Sequence, residues 1–189
     1  MAEGDLDYEI SLEELTKASS ILKPGKSTGI DNISNKMLSC IVKTNPKLIL
    51  KLFNNILKSG NIIPDWLIGM IVPIHKKGDK SEASNYRGIT LLSCLGKFFL
   101  TIQNNRLTKF VIDKSLLSSS QLGFIKGNRT SDAHIILNNL IDEHCHKKKQ
   151  KIFSCFIDFA KAFDSVPRDI LMKKLLKYGI NGNMFNIIK

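Results

Sequence analysis

Residues 152–166 read Ile-Phe-Ser-Cys-Phe-Ile-Asp-Phe-Ala-Lys-Ala-Phe-Asp-Ser-Val, and this stretch decides the fold class of the chain. Its first part, Ile152–Ile157, is rich in aromatic and β-branched residues and follows the basic, polar segment His146–Lys151. A short apolar run with such a boundary predicts a buried β-strand rather than a helix. Asp158 would then stand at the far end of that strand.

Asp158 is the first candidate for chemistry. A buried carboxylate without a partner costs several kcal/mol, so an acid in this position is expected to line a cleft, pair with a cation or bind a metal ion. Mg²⁺ prefers oxygen ligands, and the main-chain carbonyl of Phe159 is the next one along the chain. A strand, an acid and a helix in succession are also common in α/β proteins, so these residues alone leave a purely structural role open.

The residues after the motif predict a helix. Asp164 and Ser165 are good N-caps, Pro167 suits a first helical turn, and apolar residues recur at helical spacing from Ile170 to Leu176. We therefore predict that Asp164 has a structural role at the helix entry and is not a metal ligand.

The charge of the chain points to a polyanionic partner. Its 189 residues include 28 Lys and Arg against 17 Asp and Glu, a formal net charge of +11. This length suits one core of one or two subdomains. Nucleic acid is the expected partner, because each neutralised phosphate releases counterions, while a basic protein with solvated lysines stays open as the simpler alternative.

Two further signals concern the compartment. The segment Met1–Ser11 is acidic and lacks the apolar core of a secretory signal, and no apolar run approaches the roughly 18 residues of a membrane-spanning helix. We expect an intracellular protein, in the nucleus or the cytoplasm, that is neither secreted nor membrane-bound. Cysteines without a Cys-x-x-Cys pair are expected to be reduced thiols. They are Cys40, Cys94, Cys145 and Cys155.

Several segments have apolar residues at helical spacing. The first contains Ser11 followed by Glu14, which predicts a capping box. In the longest, Arg106 is placed on a basic face opposite a buried one. The predicted helices cover Leu6–Leu22, Ile33–Cys40, Pro46–Lys58, Leu95–Val111 and a segment that Ser131 or Asp132 caps.

A hairpin is predicted between residues 68 and 92. The apolar run Ile68–Ile74 is followed by the cation-rich turn His75–Lys80 and by a second strand-like segment, Asn85–Leu92. Such a hairpin can fold over a triphosphate, and Arg suits this task because its planar fork holds two phosphate oxygens at once. A basic hairpin taken alone is more often merely solvated.

The loop Lys23–Asp31 contains Gly-Lys-Ser-Thr, which is similar to part of a phosphate-binding P-loop. The P-loop pattern requires a glycine where this chain has Ser20, and a strand rather than a helix before it. We therefore reject the nucleotide-hydrolase reading.

The segment Phe-Ile-Asp-Phe-Ala-Lys-Ala-Phe-Asp-Ser-Val, residues 156–166, resembles the first catalytic motif of reverse transcriptases, in the version carried by non-LTR (LINE or jockey-like) retrotransposons. The resemblance implies that Asp158 binds both catalytic Mg²⁺ ions, with Mn²⁺ as the alternative metal, and that the Phe159 carbonyl lies beside them. It also implies that Phe163 stacks under the incoming sugar as a steric gate that favours deoxynucleotides.

Three more segments resemble the same family. Lys26 to Asp31 is similar to a Lys-x-x-Gly-x-Asp loop that approaches the template. The hairpin is similar to Pro-Ile-x-Lys-Lys-Gly followed by Asn-Tyr-Arg-Pro-Ile-x-Leu, which implies that Lys76 and Arg87 hold the phosphates of the incoming dNTP. Gly88 replaces the usual proline, and we expect it to loosen the start of the second strand.

The fourth segment is similar to Gln-x-Gly-Phe-x-x-Gly-x-Ser/Thr. It supplies Gln121 and Gly123, which the resemblance places beside template and primer, while Ile125-Lys126 displaces the arginine that often follows Phe124.

These motifs span nearly the whole chain and imply an α+β fold, the fingers and partial palm of a right-hand polymerase, helix-rich with short antiparallel strands. The implied division is an N-terminal helical extension of the fingers over residues 1–60, fingers over 61–150 and the start of a truncated palm over 151–189. The implied reaction is extension of a DNA primer on an RNA template with dNTPs.

The family's Gly-Gln-Gly type loop and its aromatic-Ala-Asp-Asp hairpin do not occur in this sequence. One of three carboxylates should not hold two metal ions competently. We therefore expect a truncated reverse transcriptase, inactive alone, whose remaining palm and thumb belong to a longer parent protein. A non-catalytic nucleic-acid-binding remnant stays open, as does a structural protein, which predicts no salt-dependent RNA binding.

Overall fold

A computed structural model of the chain describes residues 4–160, 162–163 and 165–189. The described residues are helix-rich and form a two-stranded antiparallel sheet. They divide into two compact units, a first unit made of Met1–Phe110 and Met172–Lys189 and a second unit made of Val111–Leu171. The elements are α1 (Leu12–Ser20), α2 (Asn35–Thr44), α3 (Pro46–Ser59), β1 (Met70–His75), β2 (Tyr86–Leu91), α4 (Cys94–Asp113), α5 (Thr130–Ile141), α6 (Arg168–Lys177) and α7 (Gly182–Ile188).

Local signals set the helix ends in the first unit. The Ser11 hydroxyl accepts the Glu14 N–H at 3.1 Å and the Glu14 carboxylate accepts the Ser11 N–H at 3.0 Å, so the predicted capping box is confirmed. Helix α1 therefore begins at Leu12, directly after the predicted cap, and the apolar pattern that starts at Leu6 extends beyond the N-terminus of the helix. Gly60, with a φ of 68°, ends α3 in the left-handed conformation that glycine adopts readily.

An aromatic cluster forms the centre of the core in the first unit. Phe53 of α3 packs edge-on against Phe98 and Phe99 of α4, with ring centroids 5.3 and 5.2 Å apart, and Trp66 covers Phe99 at 5.9 Å. Gly96 is required beneath Trp66, because a Cβ at this position would lie 2.9 Å from the indole Cγ. Edge-to-face packing of this kind adds to the free energy gained by burial, so the cluster joins α3 to α4.

Arg106 is buried, and its predicted place on a solvent-facing basic side of α4 is wrong. Its side chain is 2% exposed and forms a two-pronged ion pair with Glu14, at 2.7 Å from Nε and 2.8 Å from Nη2. The remaining N–H groups donate to main-chain carbonyls, and its Cζ lies 3.9 Å from the centroid of the Tyr8 ring. These carbonyls are those of Leu6, Tyr8 and Glu9. All five guanidinium N–H groups are therefore satisfied, which makes burial of the charge tolerable.

The same N-terminal segment also contacts α7. Both carboxylate oxygens of Asp7 accept main-chain N–H groups at the start of α7, from Asn183 and Met184, each at 2.8 Å. Gly182 allows this approach, since a Cβ there would overlap the Asp7 carboxylate. Residues 6–9 thus connect α4 and α7.

The predicted hairpin is confirmed within the first unit. β1 pairs with β2 in a register that places Ile74 opposite Arg87 and His75 opposite Tyr86. The Lys76 N–H donates to the Asn85 carbonyl at 2.8 Å, and the alternation of an antiparallel pair then makes Pro73–Gly88 a non-hydrogen-bonded pair. Pro73 therefore costs no hydrogen bond within the hairpin. Pairing with β1 runs without interruption over Tyr86–Leu91, so the strand is continuous through Gly88, and the expected loosening at Gly88 stays a prediction.

The second unit contains α5, which continues directly into a π-helical turn at Asp142–Lys147. The cap prediction for α5 is wrong in position. The helix begins at Thr130 and its N-cap is Arg129. Asp132 lies in the first turn, where its carboxylate accepts the Arg129 N–H at 2.6 Å. Before α6, the Ser165 hydroxyl donates to the Ala162 carbonyl at 3.1 Å, so Ser165 is not the cap. Asp164, the other predicted cap, lies outside the described residues.

The predicted buried strand Ile152–Ile157 does not form in the described chain. The segment has no strand assignment, and Phe153, Phe156 and Ile157 are 93%, 83% and 78% exposed. The physical reason is that a strand needs a neighbour for its main-chain N–H and C=O groups. Among the described residues no second strand pairs with this segment. The apolar pattern indicates that the side chains favour burial, but it does not show that a partner strand is present.

Two further features concern the helices and the cysteines. No helix in the described parts of the chain combines the length and the apolar character needed to cross a membrane. The four cysteines are free thiols, with Cys94 buried and Cys155 exposed.

We expect Arg106→Ala to lower the free energy of unfolding by about 3 kcal/mol, because it removes one partner of a largely buried ion pair and leaves three carbonyls without a donor. Denaturant unfolding measures the change. Lys109→Ala, which removes an exposed cation from the same helix, is the matched control and should change stability by less than about 0.5 kcal/mol. Equal effects of the two substitutions would contradict the arrangement.

The same pair has a pH dependence. Partial burial raises the pKa of Glu14, but hydrogen bonds from Arg106 and Ser11 and the charge of Arg106 outweigh it, so the pKa lies below its ordinary value of 4.5. The stabilisation is therefore present above about pH 4.5 and is lost as the pH falls through the lower folded-state pKa. Arg106→Ala should remove this part of the acid sensitivity.

We expect Cys155 to react rapidly with a maleimide in the native chain, while Cys94 reacts only on unfolding, because the thiol of Cys155 is accessible and that of Cys94 is 1% exposed. Peptide mass spectrometry assigns the label, and Cys155→Ser provides the control. Protection of Cys155 equal to that of Cys94 would show that residues 152–157 form a buried strand after all.

Candidate functional site

The hairpin places Lys76 and Arg87 on one face. Arg87 lies directly opposite Ile74, and Lys76 follows Ile74 by two residues with its main chain still paired to Asn85. Residues opposite one another, and residues two apart on one strand, share a face of an antiparallel pair. Lys76 directly follows β1 and continues its pairing, so Lys76 and Arg87 are diagonal neighbours, for which a Cβ–Cβ separation of roughly 7–8 Å is typical. Both side chains are exposed. The structure thus brings the two predicted phosphate-binding cations together.

The turn that joins the strands is built by specific hydrogen bonds. The Asn85 side-chain amide donates to the Asp79 carbonyl at 2.9 Å, and the Tyr86 hydroxyl donates to the Lys80 carbonyl at 3.0 Å. Gly78 has a φ of 88°, and a Cβ there would lie 2.7 Å from the Asn85 amide nitrogen. The cations of this turn are consequently presented by a fixed backbone.

Asp79 is the acidic residue within this basic turn. The main-chain N–H and the hydroxyl of Ser81 lower the pKa of the Asp79 carboxyl, so it stays ionised well below neutral pH. Its Oδ1 accepts the Ser81 N–H at 2.9 Å, and among the described residues it forms no ion pair with Lys76 or Arg87. The two hairpin cations are thus available to an external anion.

Lys26 lies in the loop between α1 and α2, also in the first unit. The residue before it, Gly25, has a φ of 72°, which favours glycine at this bend, and the Lys26 side chain is exposed. Gly29, three residues later, is buried. In this loop Lys26 is therefore exposed to solvent, while Gly29 is buried.

In the second unit, the segment that contains Gln121 and Gly123 approaches Phe163. The Gln121 amide donates to the Gly123 carbonyl at 3.3 Å, and a Cβ on Gly123 would meet no atom within 4 Å. The next ring, Phe124, packs edge-to-face against Phe163 at 6.2 Å. Space for a close approach to the backbone therefore exists at Gly123.

Phe124 has no predicted role in the sequence analysis. Its φ of 63° is unusual for a residue with a bulky side chain. Phe124 is 93% exposed and its contact partner Phe163 is 82% exposed. No residue-type signal could have revealed this, because a left-handed backbone is normally predicted from glycine or asparagine.

Asp158 and Phe159 are both exposed. Over residues 4–160, 162–163 and 165–189, no three or more His, Cys, Asp or Glu side chains lie close enough together to hold a metal ion. One carboxylate and one carbonyl fall short of the oxygen set that Mg²⁺ requires without substrate phosphates and water. The described residues therefore do not form a complete Mg²⁺ site by themselves.

Comparison with known proteins identifies the family to which this chain is similar. The family model described as reverse transcriptase (RNA-dependent DNA polymerase) matches residues 74–189, which is more than half of the chain and includes both the hairpin cations and Asp158. The chain is 31% identical over 170 residues, or 89% of its length, to a probable RNA-directed DNA polymerase from transposon BS of Drosophila melanogaster. It is 28% identical over 95% of its length to the RNA-directed DNA polymerase from mobile element jockey of Drosophila funebris.

These relatives are much longer than this chain. It spans 18% of the length of the transposon BS protein and 20% of the length of the jockey protein. A further relative, the probable RNA-directed DNA polymerase from transposon X-element of Drosophila melanogaster, is 28% identical over 75% of the chain. With more than half of its residues matched by the family model and with these relatives, the chain belongs to the reverse transcriptase family, in the branch of jockey-like non-LTR retrotransposons.

Proposed function

We propose that this chain is the nucleotide- and template-binding part of an RNA-directed DNA polymerase of a non-LTR retrotransposon. The observation that carries the proposal is the common face of Lys76 and Arg87 on a hairpin with a fixed turn, inside the region that the family model matches. Two neighbouring cations, one of them a planar guanidinium, suit the phosphates of an incoming dNTP.

The proposed architecture is that of a right-hand polymerase. Residues 1–60 are an N-terminal helical extension of the fingers, residues 61–150 are the fingers and residues 151–189 begin the palm. In this arrangement Lys76 and Arg87 hold the triphosphate, and Phe163 lies under the sugar, where its ring leaves no room for a 2′-hydroxyl. Template and primer are contacted by Lys26, Gln121 and Gly123.

Asp158 and the Phe159 carbonyl are the proposed metal ligands within this chain, for Mg²⁺ or Mn²⁺. In two-metal enzymes the ions stabilise the attacking and leaving oxygens of the phosphoryl transfer. Because the described residues supply an incomplete ligand set, further carboxylates would have to come from elsewhere in a longer polymerase. We therefore propose that the 189-residue chain binds nucleic acid and nucleotide but does not catalyse synthesis by itself.

A non-catalytic nucleic-acid-binding protein is the second candidate, and the single carboxylate at the proposed metal site is the observation that favours it. Both candidates use the net charge of +11. They differ in whether a longer form of the protein synthesises DNA.

We expect the 189-residue chain to bind single-stranded RNA with an affinity that falls steeply with salt, because neutralised phosphates release counterions. Lys26→Ala should weaken binding and reduce the slope of log affinity against log salt by about 1. Fluorescence anisotropy over a salt series measures both. Lys147→Ala is the matched control. It also removes one positive charge, but Lys147 already pairs with Asp142 at 2.8 Å, so the substitution should weaken RNA binding less than Lys26→Ala does. RNA binding that does not depend on salt would contradict both candidates.

Primer extension separates the polymerase from the non-catalytic protein. We expect a longer chain that completes the polymerase domain to extend a DNA primer on an RNA template with dNTPs, and Asp158→Asn to abolish this synthesis. Arg87→Lys should raise the KM for dNTP, because the bidentate contact is lost. Phe163→Val should admit ribonucleotides. An Asp158→Asn enzyme with unchanged activity would exclude the proposed role of this carboxylate.

The 189-residue chain in the same assay is the internal control. Synthesis by this chain that disappears in Asp158→Asn would show that the missing carboxylates are replaced, for instance by self-association. Absence of synthesis in both the short and the longer chain, with RNA binding retained, would favour the non-catalytic protein.

A further inference from the structure

The loop from Lys23 to Asp31 is fixed to the junction between β2 and α4, and Ser93 is the centre of this contact. Ser93 is 1% exposed. Its hydroxyl donates to Asp31 Oδ2 at 2.5 Å and accepts the Gly96 N–H at 3.0 Å, so it caps α4 and binds the loop at once. The second carboxylate oxygen of Asp31 accepts the Ile33 N–H at 3.1 Å. Both oxygens of Asp31 are therefore used, one toward its own loop and one toward the junction.

Two contacts of the loop backbone accompany this hydrogen bond. Gly29 is buried against the junction so closely that a Cβ would lie 2.5 Å from the Ser93 nitrogen and 2.7 Å from the Leu92 carbonyl carbon. The Cys94 thiol donates to the Ser27 carbonyl at 3.7 Å. The loop thus touches the junction at residues 27, 29 and 31, immediately after its basic tip at Lys26.

The first residue of the loop is held separately. The Asn35 side-chain amide donates to the Lys23 carbonyl at 2.9 Å. Lys26 therefore lies between two anchors, one at residue 23 and one at residues 27–31. Of the contacts named here between the loop and the junction, the Asp31–Ser93 hydrogen bond has a carboxylate as acceptor and is therefore charge-assisted, which makes it the strongest of them. The carboxylate also lies at the positive end of the α4 dipole.

We propose that Asp31 is a positioning residue that holds the basic loop against the end of β2, so that Lys26 keeps a fixed place relative to the strand that carries Arg87. The hydrogen bond spans 62 positions of sequence, and Arg87 precedes Ser93 by only a few residues of paired strand. Template contact and nucleotide contact are in this way linked through one buried hydroxyl. The part of the inference that concerns template rests on the proposed function of Lys26.

The sign of the effect on RNA binding distinguishes positioning from simple electrostatics. Asp31→Asn removes a negative charge and leaves the size of the side chain unchanged, so long-range attraction alone predicts that RNA affinity rises. If Asp31 instead holds the loop in position, Asp31→Asn should lower the RNA affinity. Asp65→Asn, which neutralises an exposed carboxylate of the same unit, is the matched control for the charge.

The first measurement is limited trypsin digestion of the 189-residue chain, with cleavage after Lys26 compared with cleavage after Lys126 in the second unit. We expect Asp31→Asn and Ser93→Ala each to accelerate cleavage after Lys26 about tenfold, because a charge-assisted hydrogen bond is lost, and to leave cleavage after Lys126 unchanged. The double variant should be no faster than the faster single variant, since both remove one interaction. Cleavage after Lys26 at the wild-type rate in both single variants overturns the proposal.

The second measurement is RNA affinity by fluorescence anisotropy, in the wild-type chain and in a Lys26→Ala background. We expect Asp31→Asn to weaken binding several-fold when Lys26 is present and to have almost no effect when Lys26 is absent. An equal loss in both backgrounds overturns the proposal, because Asp31 would then act on the fold as a whole. Faster cleavage after Lys26 with unchanged affinity in both backgrounds supports the role of Asp31 in holding the loop and removes the proposed template contact of Lys26.

Discussion

The buried guanidinium of Arg106 is the interaction on which the first unit depends. A charge in the core is tolerated only when every donor has an acceptor, and the acceptors here are the Glu14 carboxylate and carbonyls of residues 6–9. This requirement fixes the N-terminal segment against α4. In the same segment, Asp7 accepts hydrogen bonds from the first turn of α7, so the N-terminal segment contacts the C-terminal helix. The polar contacts determine which segments are joined, and the buried aromatic cluster around Phe53 stabilises their packing.

In the first unit, Lys26, Lys76 and Arg87 lie on backbone segments that hydrogen bonds hold in place. The hairpin turn is closed by side-chain amide and hydroxyl donors, and the loop with Lys26 is closed by a carboxylate and a buried serine. In both, a glycine permits an approach that any side chain would block. A fixed backbone reduces the conformational entropy that is lost when these cations bind a phosphate, which suits the nucleotide and template contacts that we propose.

The parts of the fold that the sequence predicted are those with local causes. The capping box at Ser11, the end of α3 at Gly60 and the hairpin around a cation-rich turn all depend on residues close together in the chain. Arg106 was misplaced because its partners lie about a hundred positions away and its residue type suggests solvent. The strand Ile152–Ile157 was predicted from its apolar pattern, yet a strand also needs a neighbour, and no residue type encodes where that neighbour lies. For the same reason the Asp31–Ser93 contact and the Phe124–Phe163 contact were beyond sequence reasoning.

The central claim is the proposal that the hairpin face with Lys76 and Arg87 binds the triphosphate, and that Asp158 is required for synthesis by a longer polymerase. Amide hydrogen exchange of that longer protein, bound to a primer–template with and without the matched dNTP, tests it most directly. The account predicts that the matched dNTP protects the turn between residues 76 and 85 together with residues 156–160, and that a mismatched dNTP protects neither. Unchanged exchange at both segments on addition of the matched dNTP would contradict it.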